Sequence, residues 1–92
     1  MYKVVSTKPF RKDYKRLLKS GRFDVTTLNK VINHLSNGEA LEEKYQDHVL
    51  KGSMQGWREC HLKPNLLLVY KIYKNQLVLE LIRLGSHSEL FD

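Results

Sequence analysis

Trp57-Arg58-Glu59-Cys60-His61-Leu62-Lys63-Pro64-Asn65-Leu66-Leu67-Leu68-Val69-Tyr70-Lys71-Ile72-Tyr73 is the stretch on which the fold turns. Its first six residues alternate. Side chains two apart share a face in a strand, so Trp57, Glu59 and His61 point one way and Arg58, Cys60 and Leu62 the other. Pro64-Asn65 is a turn signal. Leu66 to Tyr73 is then apolar on both faces, which predicts a central strand. Downstream, Lys74-Asn75-Gln76 reads as a hairpin turn. Leu77 to Leu84 reads as the next strand, with Leu77, Leu79, Leu81 and Arg83 on one face. Gly85 ends it, and Ser86 to Phe91 is a short tail of about one helical turn.

Upstream the period changes. Val4 and Val5 centre a short strand over residues 2–6. Ser6 or Thr7 offers a helix N-cap and Pro9 suits a first turn. Phe10, Tyr14, Leu17 and Leu18 recur at helical spacing, opposite a face of Arg11, Lys12, Lys15, Arg16 and Lys19, and Gly21 is the stop. Asp24 caps a second helix whose stripe is Leu28, Val31, Ile32 and Leu35, ending at Asn37-Gly38. The link between the helices is short, which predicts an antiparallel helical hairpin. Glu39 to Leu50 has no period and reads as a loop. The order is strand, helix, helix, then a three-stranded antiparallel meander: an α+β fold in one domain, residues 1–92, with the hairpin on one sheet face.

The chain has 92 residues and a net charge of +6. Such an excess favours a polyanion, RNA or DNA first and an acidic protein second. The single Cys60 has no partner within the chain, so a reducing compartment is expected. The first residues read as a strand and not as a signal peptide. The longest apolar run is far too short to span a bilayer. A soluble, cytoplasmic protein without membrane contact is expected.

Three histidines, His48, His61 and His87, stand at strand ends or turns. Their spacing matches no short metal-ligand motif and the lone cysteine adds no second sulfur, so neither a metal nor any other cofactor is expected. Cys60 points away from His61 and reads as a core residue. No Gly-rich phosphate loop opens a helix. Metal-independent cleavage of RNA through its own 2′-hydroxyl fits this residue set better. It needs a base for the 2′ proton, cations for the phosphorane and an acid for the leaving 5′-oxygen. Histidine suits both proton roles, and the arginine fork suits phosphate. The candidates for proton transfer are His48, His61 and His87. Arg58, Arg83 and Lys51 are candidates for phosphate, and Trp57 and Phe91 for stacking on an unpaired base.

Asp47-His48-Val49-Leu50-Lys51-Gly52, Trp57-Arg58-Glu59-Cys60-His61, the Lys63-Pro64-Asn65 turn and Arg83-Leu84-Gly85-Ser86-His87-Ser88-Glu89-Leu90-Phe91 together resemble the RelE/ParE superfamily of type II toxin–antitoxin toxins, and within it the YafQ group. The resemblance runs nearly end to end. It implies a compact microbial-RNase-like sheet with two N-terminal helices. It also implies an mRNA interferase acting on mRNA at the ribosome, and a cognate antitoxin in a higher-order hetero-oligomer. His87 falls where such toxins place the general acid, His48 and His61 on two further active-site histidines, and Phe91 on the C-terminal aromatic. One departure stands out. Some members carry an acidic residue followed by Trp where this chain has Asn65-Leu66, and an amide cannot serve as a base. The base is then Glu59, His48 or His61, or it is dispensable; Glu59 either takes the proton or orients His61. The alternatives are a ParE-type toxin that binds DNA gyrase without catalysis, and an RNA- or ribosome-binding regulator. Ser86 to Phe91 favours the ribonuclease. An acidic, amphipathic C-terminal antitoxin segment, wrapping the toxin, is the expected partner of the basic site.

Overall fold

The computed structural model describes residues 1–21, 23–52 and 56–91. A strand β1 (Lys3–Ser6) leads into helices α1 (Lys8–Lys19) and α2 (Val25–Ser36). A short strand β2 (His48–Val49), three longer ones, β3 (Arg58–Lys63), β4 (Leu66–Tyr73) and β5 (Val78–Gly85), and a terminal helix α3 (His87–Phe91) complete it. The five strands form one sheet in the order β1-β5-β4-β3-β2. The meander β3-β4-β5 is antiparallel, and β1 pairs parallel with β5.

The local signals act as read. Thr7 accepts from the Phe10 amide and Asp24 from those of Thr26 and Thr27, each supplying an acceptor to a helix end that lacks one. Phe10 of α1 and Leu28, Val31 and Leu35 of α2 enter one core with Cys60, Leu68, Tyr70, Leu79, Leu81 and Leu84. Both helices therefore cover the same sheet face, α1 against β5 and α2 against β3. β4 lies in the middle of the sheet order with Leu67, Leu68, Val69 and Tyr70 all buried, as its two-sided apolarity requires.

Four expectations need correction. Residues 48 and 49 are not loop: His48–Val49 is a strand paired with β3 at one side of the sheet, while β1 joins the other side. A two-residue strand carries too little pattern to be seen in sequence. Leu18 does not complete the α1 stripe; it is 46% exposed, while Asp13 is buried. Leu77 is not in β5: it lies in the turn, with φ +54°. Arg83 does not share a face with Leu79 and Leu81. The pairing steps from Tyr70↔Leu81 to Val69↔Arg83, so Ile82 is an extra residue in the ladder. Such a bulge shifts the alternation by one, and Leu84 instead of Arg83 returns to the helix side.

The bulge has a second effect. β1 covers β5 only from Val78 to Leu81. Beyond that the β5 edge is free, and the start of α1 takes it over. Thr7 N donates to the Leu81 carbonyl (3.0 Å) and Thr7 Oγ1 to that of Ile82 (2.8 Å). Asp13 Oδ2 accepts from the Leu84 amide (3.0 Å).

Candidate active site

The sheet face away from α1 and α2 carries a continuous row of side chains. His48 of β2 pairs with Glu59 of β3, Glu59 with Val69 of β4, and Val69 with Arg83 of β5. His61 and Leu67 form the neighbouring pair. Residues distant in sequence thus come together because side chains in register across a sheet stand side by side.

Glu59 is the centre of the histidine cluster. It is only 5% exposed. Its Oε1 lies 3.1 Å from His48 Nε2 and 4.0 Å from His61 Nε2. Its Oε2 is buried and has no hydrogen-bond partner among the described residues. His48 Nδ1 lies 2.7 Å from the Gln46 carbonyl, which can only accept, so Nδ1 carries a proton. Both nitrogens of His48 are therefore engaged. His61 differs: its Nε2 faces Glu59, and its Nδ1 has no partner among the described residues.

Asp47 explains why His48 points outward. Asp47 turns to the helix side, where its carboxylate accepts from the Tyr70 hydroxyl and from Arg58 Nη2 (3.1 Å). Burial and the hydrogen bond to Asp47 push the Tyr70 hydroxyl well above its ordinary pKa, keeping it a donor. With residue 47 pinned inward, strand alternation sends residue 48 outward. The same contacts remove Arg58 from the phosphate candidates, because it sits beside Tyr70 on the helix side and is held by Asp47. Cys60 is in the core, and burial raises its thiol pKa to about 12, so it is no nucleophile at neutral pH.

Arg83 is held differently. Its Nε donates to Asp13 Oδ2 (2.8 Å) and its Nη2 to Asp13 Oδ1 (3.2 Å). That leaves Nη1 and the second Nη2 hydrogen for a ligand. Arg16 Nη1 also donates to Asp13 Oδ1 (3.1 Å), so the carboxylate is saturated. Burial alone would raise the Asp13 pKa; the hydrogen bonds from Arg83, the Leu84 amide and Arg16 outweigh it, and the net shift is downward.

His87 opens α3 through a capping box. Ser86 N donates to Glu89 Oε1 (2.8 Å) and Glu89 N to Ser86 Oγ (3.2 Å). Arg16 Nη2 then ties Glu89 to α1 (3.3 Å). Gly85 permits this close docking: a Cβ there would sit 3.0 Å from Glu89 Oε1 and 3.3 Å from Leu90 Cδ2. The exposed His87 ring tilts against Phe91, centroids 5.0 Å apart. Phe91, Leu90, Trp57, Val69, Ile82 and Arg83 line an apolar groove of about 420 Å³.

Of the residues singled out from sequence, the structure groups His48, Glu59 and His61, and separately Arg83, Trp57 and Phe91, all on one face. Lys51 is exposed just past β2. Asn65 is exposed in the β3–β4 turn and lines a hollow with Leu17 and Phe23, apart from the histidine row. Asp13 and the Ser86–Glu89 box were missed. The spacing Ser-x-x-Glu before Leu-Phe was a legible capping signal. Asp13, a lone acid among the basic residues of α1, was the other.

Known proteins resemble the chain along nearly its whole length. A family described as "Bacterial toxin of type II toxin-antitoxin system, YafQ" matches residues 2–92. The "mRNA interferase toxin YafQ" of Escherichia coli strain B is 35% identical over 83 residues, 89% of this chain and 87% of that protein. For the K12 protein of the same name the match is 39% over 57 residues, so the chain spans 62% of its own length and 60% of that relative's. A metal-bound toxin from Helicobacter pylori is 53% identical, covers 99% of this chain and 100% of that one, and superposes with TM-score 0.94. The toxin-matching chain of the E. coli DinJ–YafQ complex is 30% identical over 100% of both chains, with TM-score 0.88. For the metal of the H. pylori toxin, no group of three or more His, Cys, Asp or Glu is placed to hold an ion among the described residues of this chain.

Proposed function

The chain belongs to the YafQ family of type II toxin–antitoxin toxins, and on that premise we propose an mRNA interferase that cuts by proton transfer through the RNA's own 2′-hydroxyl. The observation that carries the chemistry is the row His48–Glu59–Val69–Arg83, which puts a histidine–carboxylate cluster and a forked cation on one open face.

In this reading His61 takes the 2′ proton on Nδ1 while its Nε2 faces Glu59. A base backed by a third group is the usual arrangement, and such contacts are often loose without substrate. His48 holds Glu59 from the other side. The 2′-oxygen bonds to phosphorus, the bond to the 5′-oxygen breaks, and His87 donates the proton that the leaving oxygen needs. The products are a 2′,3′-cyclic phosphate and a 5′-hydroxyl. Arg83 stabilises the added charge on the phosphorane with its free N–H groups. Trp57 and Phe91 supply stacking surface, and Lys51 an outlying charge. The substrate is message on the ribosome, and the exposed Lys15 and Lys19 of α1 give the domain its affinity for that surface. The partner is a cognate antitoxin with an acidic segment that covers the basic face, within a larger hetero-oligomer.

The test is cleavage of a translated message by wild type, His61→Ala, His48→Ala and His87→Ala. General acid or base loss typically costs on the order of 10² to 10⁴ in rate. His61→Ala and His87→Ala should each fall in that range, with cyclic phosphate ends on the wild-type product. Growth arrest by wild type with intact message would overturn the reading in favour of a non-enzymatic inhibitor.

A further inference from the structure

Arg83 borders two hollows. One is the apolar groove under Trp57, Leu90 and Phe91. The other, about 370 Å³, opens on the α1 side and is lined by Lys8, Pro9, Lys12, Asp13 and Arg83. Pro9 and Arg83 are the shared wall. The two hollows are therefore adjoining, one polar and cationic, the other apolar.

The charges in the second hollow are unequal. Lys8 and Lys12, one helical turn apart on α1, are exposed, and neither has a recorded ion pair or side-chain hydrogen bond among the described residues. Asp13 is the carboxylate there, and its oxygens are taken by Arg83, Arg16 and the Leu84 amide. A saturated carboxylate facing two free ammonium groups and a half-free guanidinium leaves an anion-binding surface. Other lysines of α1 are exposed as well, but only Lys8 and Lys12 share a hollow with Arg83.

We propose that Lys8 and Lys12, beside Arg83, form a phosphate subsite for single-stranded RNA, holding the phosphate next to the one that Arg83 holds for cleavage while the attached base enters the apolar groove. The proposal rests on the ribonuclease reading for its substrate and extends the site onto the first turns of α1. A nucleotide joins one anionic and one flat apolar group, and the two hollows offer that pair of surfaces side by side. The occupant is the message itself and not ribosomal RNA, because the cationic hollow opens onto the same guanidinium that faces the histidine row.

The experiment uses a fluorescent single-stranded oligonucleotide of 2′-O-methyl residues, which has no free 2′-hydroxyl to react. Its affinity for the wild-type protein, Lys8→Ala/Lys12→Ala and the distant Lys30→Ala is measured over a salt series by anisotropy. Each phosphate contact on a single strand contributes about 0.7 to the slope of log affinity against log salt. The double variant should therefore lose up to about 0.7 from the slope, the share of the one phosphate the two lysines hold, and Lys30→Ala nothing. An abasic residue at one position should weaken wild-type binding by roughly tenfold, as removal of one stacked base does. An unchanged slope in the double variant, an equal loss in Lys30→Ala, or no binding by wild type overturns the subsite. A defect that appears only when ribosomes are added also overturns it, because the lysines then serve ribosomal RNA. Cleavage by wild type, run in parallel, separates the outcomes: its absence removes the ribonuclease reading, while the slope still decides the subsite.

Discussion

Glu59→Gln should make the protein more stable and less active, a combination that a structural carboxylate does not give. Glu59 is 5% exposed and one of its oxygens has no partner among the described residues. An unsatisfied buried polar atom costs about 1–3 kcal/mol, more when charged. The offsetting attraction is the contact with His48 at 3.1 Å, and the His48 side chain is half exposed. Solvent screening holds such a pair to about 1 kcal/mol or less. In the variant, the amide nitrogen takes the Oε1 position and donates to a neutral His48 Nε2, and the carbonyl takes the unpartnered position. The net change is about 0–2 kcal/mol in favour of folding. For a domain of this size that is an increase in Tm of up to roughly 10 °C. Cleavage should fall by about 10² or more, because the amide cannot back a protonated His61. Thermal denaturation by circular dichroism and cleavage of a translated message on the same preparation measure both. A lower Tm with cleavage intact refutes the reasoning and makes Glu59 a structural partner of His48.

Three further outcomes are expected. Asp13, whose folded pKa is depressed below the ordinary 3.8, contributes stability that is present above that value and lost as pH falls through the folded one. Denaturation of Asp13→Asn across acid pH should therefore lack the wild type's loss of stability below about pH 4; two parallel curves would show that Asp13 is not the group responsible. Gly85→Ala should displace α3, because the new methyl meets Glu89 and Leu90; overpacking of this kind costs about 1–3 kcal/mol, and cleavage should drop even where the variant stays folded at assay temperature. Association with the antitoxin should slow as salt rises while dissociation changes little, as electrostatic steering predicts; stopped-flow mixing that finds a salt-independent association rate would leave only an apolar clamp.

The sequence alone determined what local physics governs. Turn residues at Pro64-Asn65 and Gly21, caps at Thr7 and Asp24, and periods of two and of helical spacing set the elements, and the two-sided apolarity of Leu66 to Tyr73 set the central strand. Alternation also set which β3 side chains share a face, so Glu59 with His61, and Cys60 in the core, were legible. The tertiary structure decided the rest, because it depends on register between distant segments. Nothing local places His48 opposite Glu59, since β2 owes its place to pairing with β3 and to Asp47 bonding Tyr70. Arg58 and Arg83 are the same residue type near strand ends. One is consumed by Asp47 and the other is oriented by Asp13 from 70 positions away. The extra residue Ile82 turned Arg83 onto the open face, and no periodicity in β5 records a one-residue slip in the ladder.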